Sequence, residues 1–153
     1  MDRVTAALIA GLGAAIAILI LSLLSHSPHS VVLIMAPFGA TTVLVFGLPN
    51  SPLAQPKNVI LGHLITAFIG LLVLHTLGVS PYTLALATGA AVACMMISNT
   101  THPPAGANPL LIMLTHQDWA FLVTPVLLGA AIIVITGKIY SNIKNSMLIR
   151  SPR

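Results

Sequence analysis

Thr100-Thr101-His102-Pro103-Pro104-Ala105-Gly106-Ala107-Asn108-Pro109 stands between two long apolar runs. Pro103 and Pro104 have no backbone N–H to donate, and each proline pushes the residue before it into an extended conformation. Proline is tolerated at a first helical position, so a short helix can begin from Ala105 onward. The stretch predicts an extended arm, a break, and then a helix whose first N–H groups have no intrahelical partner. In water this would be an ordinary loop. Its flanks place it inside a bilayer.

The chain has 153 residues, of which 57% are hydrophobic and only 5% charged, with a mean hydropathy of +1.03. Soluble domains carry about 25% charged residues. No Asp, Glu, Lys or Arg occurs from Val4 to Pro56, from Asn58 to Gln117, or from Trp119 to Gly137. Apolar runs of about 20 residues match the thickness of a hydrocarbon core. The composition therefore predicts an all-α, multi-pass integral membrane protein, a single domain over 1–153. The basic excess is no nucleic-acid footprint, because Lys138, Lys144, Arg150 and Arg153 follow the last apolar run and read as a cytoplasmic anchor. Cys94 reads as a small buried hydrophobe. The run from Val4 to Leu24 is longer than a signal-peptide core and reads as a first membrane helix.

Six segments follow from the pattern. Segment 1 covers about 4–24 and segment 2 about 31–48, interrupted at Ala36-Pro37-Phe38-Gly39-Ala40. Segments 3 and 4 cover about 58–77 and 82–98. The opening stretch leads into a short fifth helix ending near Leu114. Segment 6 covers about 120–140, after the interfacial His116-Gln117-Asp118-Trp119. Four of the six are full-length helices, and a basic tail occupies 141–153.

A repeat lies within this order. Shifted by 67 residues without gaps, Pro37, Gly39, Ala40 and Leu44 fall on Pro104, Gly106, Ala107 and Leu111; Val59, Leu61, Gly62, Ile65 and Gly70 fall on Val126, Leu128, Gly129, Ile132 and Gly137. Hydrophobic bias alone does not align Pro and Gly. Repeat 1 (about 4–77) and repeat 2 (about 80–140) each read as helix, arm with a P-x-G-A half-helix, helix. If both broken segments cross, Arg3, Lys57 and the tail share the cytoplasmic side, as the positive-inside rule prefers; if they re-enter as hairpins, four helices cross and Lys57 lies outside. Three crossings per half make the repeats inverted.

Non-helical backbone at membrane depth survives only where protein or a wet cavity surrounds it. A half-helix start carries roughly +0.5 of a charge with free N–H donors. Two such starts near the midplane can hold a small anion without Lys or Arg. The candidate binding residues are Phe38, Gly39, Ala40, Thr41 and Thr42 at the first break, and His102, Pro104, Ala105, Gly106, Ala107 and Asn108 at the second. His63 and His102 are candidates for gating or proton coupling, since imidazole titrates near neutral pH; each has a plainer reading as a satisfied interior or arm-holding residue. Cation and metal pathways place carboxylates in the membrane, and Asp2 and Asp118, the only acidic residues, lie at segment ends. His26 and His29 have no further ligand in view, so no metal is expected, and no cofactor. His75 and His116 read as interfacial.

Thr101-His102-Pro103-Pro104-Ala105-Gly106-Ala107 resembles the signature of the HPP family of integral membrane proteins, and Ala36–Ala40 and Leu53–His63 are similar to its other recurrent blocks. The family is usually described with four membrane-spanning helices, and its cyanobacterial and plastid members are associated with nitrite transport. The resemblance implies a transporter of nitrite or a similar small inorganic anion, in a bacterial inner membrane or a plastid-type membrane. The facing half-helices are also similar to the sulfate- and uracil-permease architecture, a likeness at the level of fold alone. A passive anion channel and a non-transporting assembly subunit are the alternatives. An enzyme is not expected: there is no His-Glu-x-x-His, no intramembrane Asp pair and no Gly-x-Ser-x-Gly. Small-residue helix faces suggest a homo-oligomer in the bilayer, with the N- and C-termini cytoplasmic.

Overall fold

The computed structural model describes residues 2–25 and 33–150, all helix, turn or coil. His26, His29 and the last three residues of the tail lie outside the described residues. The helices are α1 (Arg3–Ser25), α2 (Ala36–Thr42), α3 (Pro56–Leu77), α4 (Pro81–Ile97), α5 (Asn108–Leu114) and α6 (Leu128–Arg150). A π-turn, Val43–Gly47, extends α2, and a 3-10 turn, Pro103–Ala107, leads into α5. Among the described residues, three stretches are long and apolar enough to span a bilayer: Arg3–Ser25, Pro56–Leu77 and Trp119–Lys144. α4 is shorter, at 17 residues.

Local chemistry sets most boundaries. Pro37, Pro56, Pro81 and Pro103 stand in first helical turns, where their missing N–H is no loss. Asp2 starts α1 by accepting the Thr5 backbone N–H at 2.8 Å. Ser80 and Thr83 form a reciprocal capping box at the start of α4, with bonds of 3.1 and 2.8 Å. Gly78, at φ 69°, ends α3.

Several boundaries differ from the sequence expectation. The first break lies before Ala36, so Pro37-Phe38-Gly39-Ala40 is the opening of α2 rather than an interruption within it. The second half-helix becomes α-helical only at Asn108. Segment 6 is not one helix: Thr124 is extended (φ −131°, ψ 116°) and Pro125 cannot donate, so the regular helix waits until Leu128. It then continues to Arg150, through most of what reads as a tail. Cys94 is exposed rather than buried, because α4 turns only Ala87, Ala91 and Met95 inward.

α3 is central. Val59, Gly62, His63, Thr66, Ala67, Gly70 and Leu71 are buried at steps of three and one, a single helical face. The segment carrying the second break climbs this helix from its first turn to its last. Asn58 Nδ2 donates to the Thr101 carbonyl at 3.0 Å, and Trp119 stacks on His75 with ring centres 5.5 Å apart. Between these ends two glycines make room. A Cβ on Gly62 would lie 2.9 Å from His102 Cβ and 3.0 Å from the Thr100 carbonyl; one on Gly70 would lie 2.8 Å from Pro109 Cα and 3.6 Å from Ile112 Cβ.

The segment carrying the first break climbs α6 in the same manner. A Cβ on Gly129 would strike the Phe38 ring and approach the Leu33 carbonyl, and one on Gly137 would strike Val45. Pro49, Gln55 and Pro56 then line a cavity of about 140 Å³ with Gly137, Lys138 and Ser141. The start of α3 therefore lies beside the far part of α6, and the two helices run in opposite directions. α1 lies outermost, against α6 and the π-turn after α2: Gly13 touches the rings of Phe46 and Tyr140.

Candidate functional site

The two broken segments meet over the central face of α3, and five buried polar side chains collect there. His63, His102, Thr41, Thr66 and Asn108 are each almost fully buried. Thr41 Oγ1 lies 2.9 Å from His63 Nε2 and 3.1 Å from His102 Nε2, so one hydroxyl bridges two imidazoles. The imidazole rings meet edge to face at 5.0 Å, and Phe38 packs edge to face on His63 at 5.3 Å. Asn108 holds the other side of His63: its Nδ2 lies 3.0 Å from His63 Nδ1, 3.1 Å from the His63 carbonyl and 2.9 Å from Thr66 Oγ1.

Partners determine which atoms carry hydrogen. His102 Nδ1 faces the Leu53 carbonyl at 2.8 Å, and a carbonyl only accepts. Nδ1 therefore carries the proton, and Nε2 is an acceptor in the neutral ring. Asn108 presents its NH₂, because the His63 carbonyl also lies against that atom. His63 Nδ1 is then the acceptor, and its Nε2 donates to Thr41. The Thr41 hydrogen lies between His102 Nε2 and the Pro37 carbonyl, 3.1 Å away. The result is a directed chain, His63 to Thr41 to His102 to Leu53, that closes with both imidazoles neutral. Thr66 donates back to the Gly62 carbonyl at 2.9 Å. One atom is left over: Asn108 Oδ1 is buried without a hydrogen-bond partner.

Of the residues predicted for the site, Phe38, Thr41, His63, His102 and Asn108 converge here. Pro104 and Ala105 are buried in the turn beside them. Thr42 instead bonds back to the Gly39 carbonyl at 2.8 Å. Gly39, Ala40 and Ala107 are exposed, and Gly106 is half-buried. The sequence reading missed Thr66, Asn58 and the Leu53 carbonyl. The signal for the first two was present: Asn58, Gly62, His63 and Thr66 lie on one face of α3 at helical spacing. The Leu53 contact spans 49 positions along the chain, and nothing local announces it.

This arrangement sits on a chain whose every span matches a known group: the HPP transmembrane region matches residues 1–148. The chain belongs to the HPP family. Two transmembrane proteins of Dictyostelium discoideum are similar to this HPP protein. One is 35% identical over 117 residues, covering 71% of this chain and 41% of its own length. The other is 33% identical over 138 residues, covering 83% and 44%. The chain thus spans less than half the length of these curated relatives. No solved structure matches it.

Proposed function

We propose that this HPP protein moves a small inorganic anion across a membrane, with nitrite the first candidate by family resemblance. One observation carries the reading: a buried, uncharged cluster of two histidines, a threonine and an asparagine where two broken spans meet, in a chain without carboxylates at membrane depth. Polar groups within a membrane protein are costly to maintain and mark solute pathways. The reading keeps the residues about Thr41 and Asn108 as the binding region, and a homo-oligomer as the working form.

The same reading takes the molecule as two inverted repeats. Contacts equivalent under the 67-residue shift support it. Gly62 faces the Thr100 carbonyl as Gly129 faces that of Leu33, and Gly70 faces Ile112 as Gly137 faces Val45. Each repeat's last helix packs on the other repeat's broken segment. Thr41 and Asn108, equivalent positions, hold the two ring nitrogens of the same histidine. Both broken segments then cross completely, for six crossings, with Lys57 on the side of Arg3 and the tail. Single cysteines at Ser51 and Gln117 are expected to label from opposite faces of sealed vesicles. Labelling of both from one face would remove the inverted arrangement.

Transport itself is tested in proteoliposomes, where nitrite uptake should exceed that of empty vesicles several-fold. Equal uptake, with folded protein in the membrane, would end the proposal. Gly106→Val refines the test: nothing lies within 4 Å of the position its Cβ would take. The variant should fold normally and still lose most uptake, because valine fills space beside the second half-helix. Wild-type uptake would move the binding region elsewhere.

A further inference from the structure

We infer that the anion is taken up together with one proton, which His63 holds, and that the Asn108 amide is the switch between the empty and the loaded state. This rests on the anion-transport reading and adds the form in which the cargo moves.

The inference comes from a hydrogen inventory. In the closed network every N–H and O–H points at a protein acceptor. An anion needs donors, and this network has none to spare. What is spare is an acceptor, Asn108 Oδ1. Adding one proton to His63 reverses the arrangement. Nδ1, now an N–H, faces the Asn108 nitrogen 3.0 Å away, a donor against a donor. Half a turn of the amide puts Oδ1 in that place, where it accepts a charge-assisted bond. Thr66 Oγ1, 2.9 Å from the same amide atom, can rotate its hydrogen from the Gly62 carbonyl to Oδ1. The NH₂ swings to where Oδ1 stood, and two donors without protein partners appear beside a new positive charge. The turn gives up the bond to the His63 carbonyl at 3.1 Å, which keeps the unprotonated network in its closed form. Proton and anion thus support each other: among the described residues around His63 no carboxylate faces the new cation, and the turned amide supplies donors that the closed network lacks; the other unpartnered hydroxyls, Thr88 Oγ1 and Tyr140 Oη, do not bond to this network.

No second charge competes for this role. Among the described residues facing His63, only His102 is ionisable, and it joins His63 through Thr41. α2 and α5 carry no ionisable side chain. α4 turns Ala87, Ala91 and Met95 inward and leaves Tyr82 and Cys94 exposed. Lys138 of α6 lines the loop cavity with Pro49 and Gln55, and Tyr140 packs on Phe46. Asp118 and Lys57 are exposed.

Calorimetric titration of the purified full chain with sodium nitrite, at one pH in two buffers of different ionisation enthalpy, counts protons directly. About one proton per nitrite bound is expected. In proteoliposomes an inward proton gradient should then speed nitrite uptake, while a potassium diffusion potential should not alter it. A proton count of zero, or uptake that follows the potential and ignores the pH gradient, would overturn the inference while leaving anion transport standing. Absence of both nitrite binding and nitrite flux would take the two readings down together. His63→Gln keeps a polar side chain but cannot hold the proton. It should bind nitrite at least tenfold more weakly and with no proton uptake; unchanged proton stoichiometry in this variant would place the proton elsewhere and refute the assignment.

Discussion

Thr41→Val is expected to cost both stability and transport, because one hydroxyl serves two buried imidazoles. Valine has nearly the same shape, so packing around Phe38 and Pro37 is kept. What is lost is the partner of His63 Nε2 and of His102 Nε2 together. A hydrogen bond between membrane helices is worth only about 0.6 kcal/mol on average, because the chain finds other partners. Among the described residues those two atoms make no other hydrogen bond. The relevant figure is then the penalty for a buried orphan, about 1–3 kcal/mol for each atom. The sum, on the order of 3 kcal/mol, should lower the unfolding midpoint in detergent by several degrees. Nitrite uptake should fall at least tenfold. Thr41→Ser restores the hydroxyl and should recover both within about 1 kcal/mol. A Thr41→Val protein with wild-type melting and flux would remove the bridge from any account of function.

Gly62→Leu should be harsher still, and for a steric reason alone. A first side-chain carbon at this position already falls 2.9 Å from His102 Cβ and 3.0 Å from a backbone carbonyl, neither of which can step aside cheaply. Overpacking a close interface costs about 1–3 kcal/mol where side chains yield, and more where backbone must move. The arm carrying His102 would be pushed off α3, breaking the contacts to Thr41 and Leu53 together. Little monodisperse protein is expected on size-exclusion chromatography. Gly89→Leu on the open side of α4, where nothing lies within 4 Å, should behave as wild type. A well-folded Gly62→Leu protein with intact transport would mean that the close contact between α3 and the arm is dispensable.

These two positions illustrate how much of the molecule was legible in advance. Gly62 stood out because it recurs as Gly129 at a spacing of 67 residues, beside Pro and Gly matches that hydrophobic bias cannot produce. The same 67-residue shift sets Thr41 on Asn108. The partner of each glycine was hidden: the repeat says which positions are equivalent, not that each packs on the other half. Cys94 shows the opposite failure. In a chain this apolar, an apolar stretch no longer distinguishes inside from outside, since lipid-facing and core-facing residues have the same chemistry. Only the direction of α4's small-residue stripe decides it.

By itself, the sequence determined that the chain is helical and lives in a membrane, and it marked the two proline-glycine interruptions but not the one at Thr124. Those are consequences of local backbone chemistry and of charge withheld over long runs. The tertiary structure decided that the two breaks meet over one face of α3, and that a single hydroxyl there joins two histidines 39 positions apart in the chain. Hydrogen-bond partners so distant are chosen by packing, because an unpaired polar group inside a bilayer must be satisfied by whatever the fold brings within 3 Å or so.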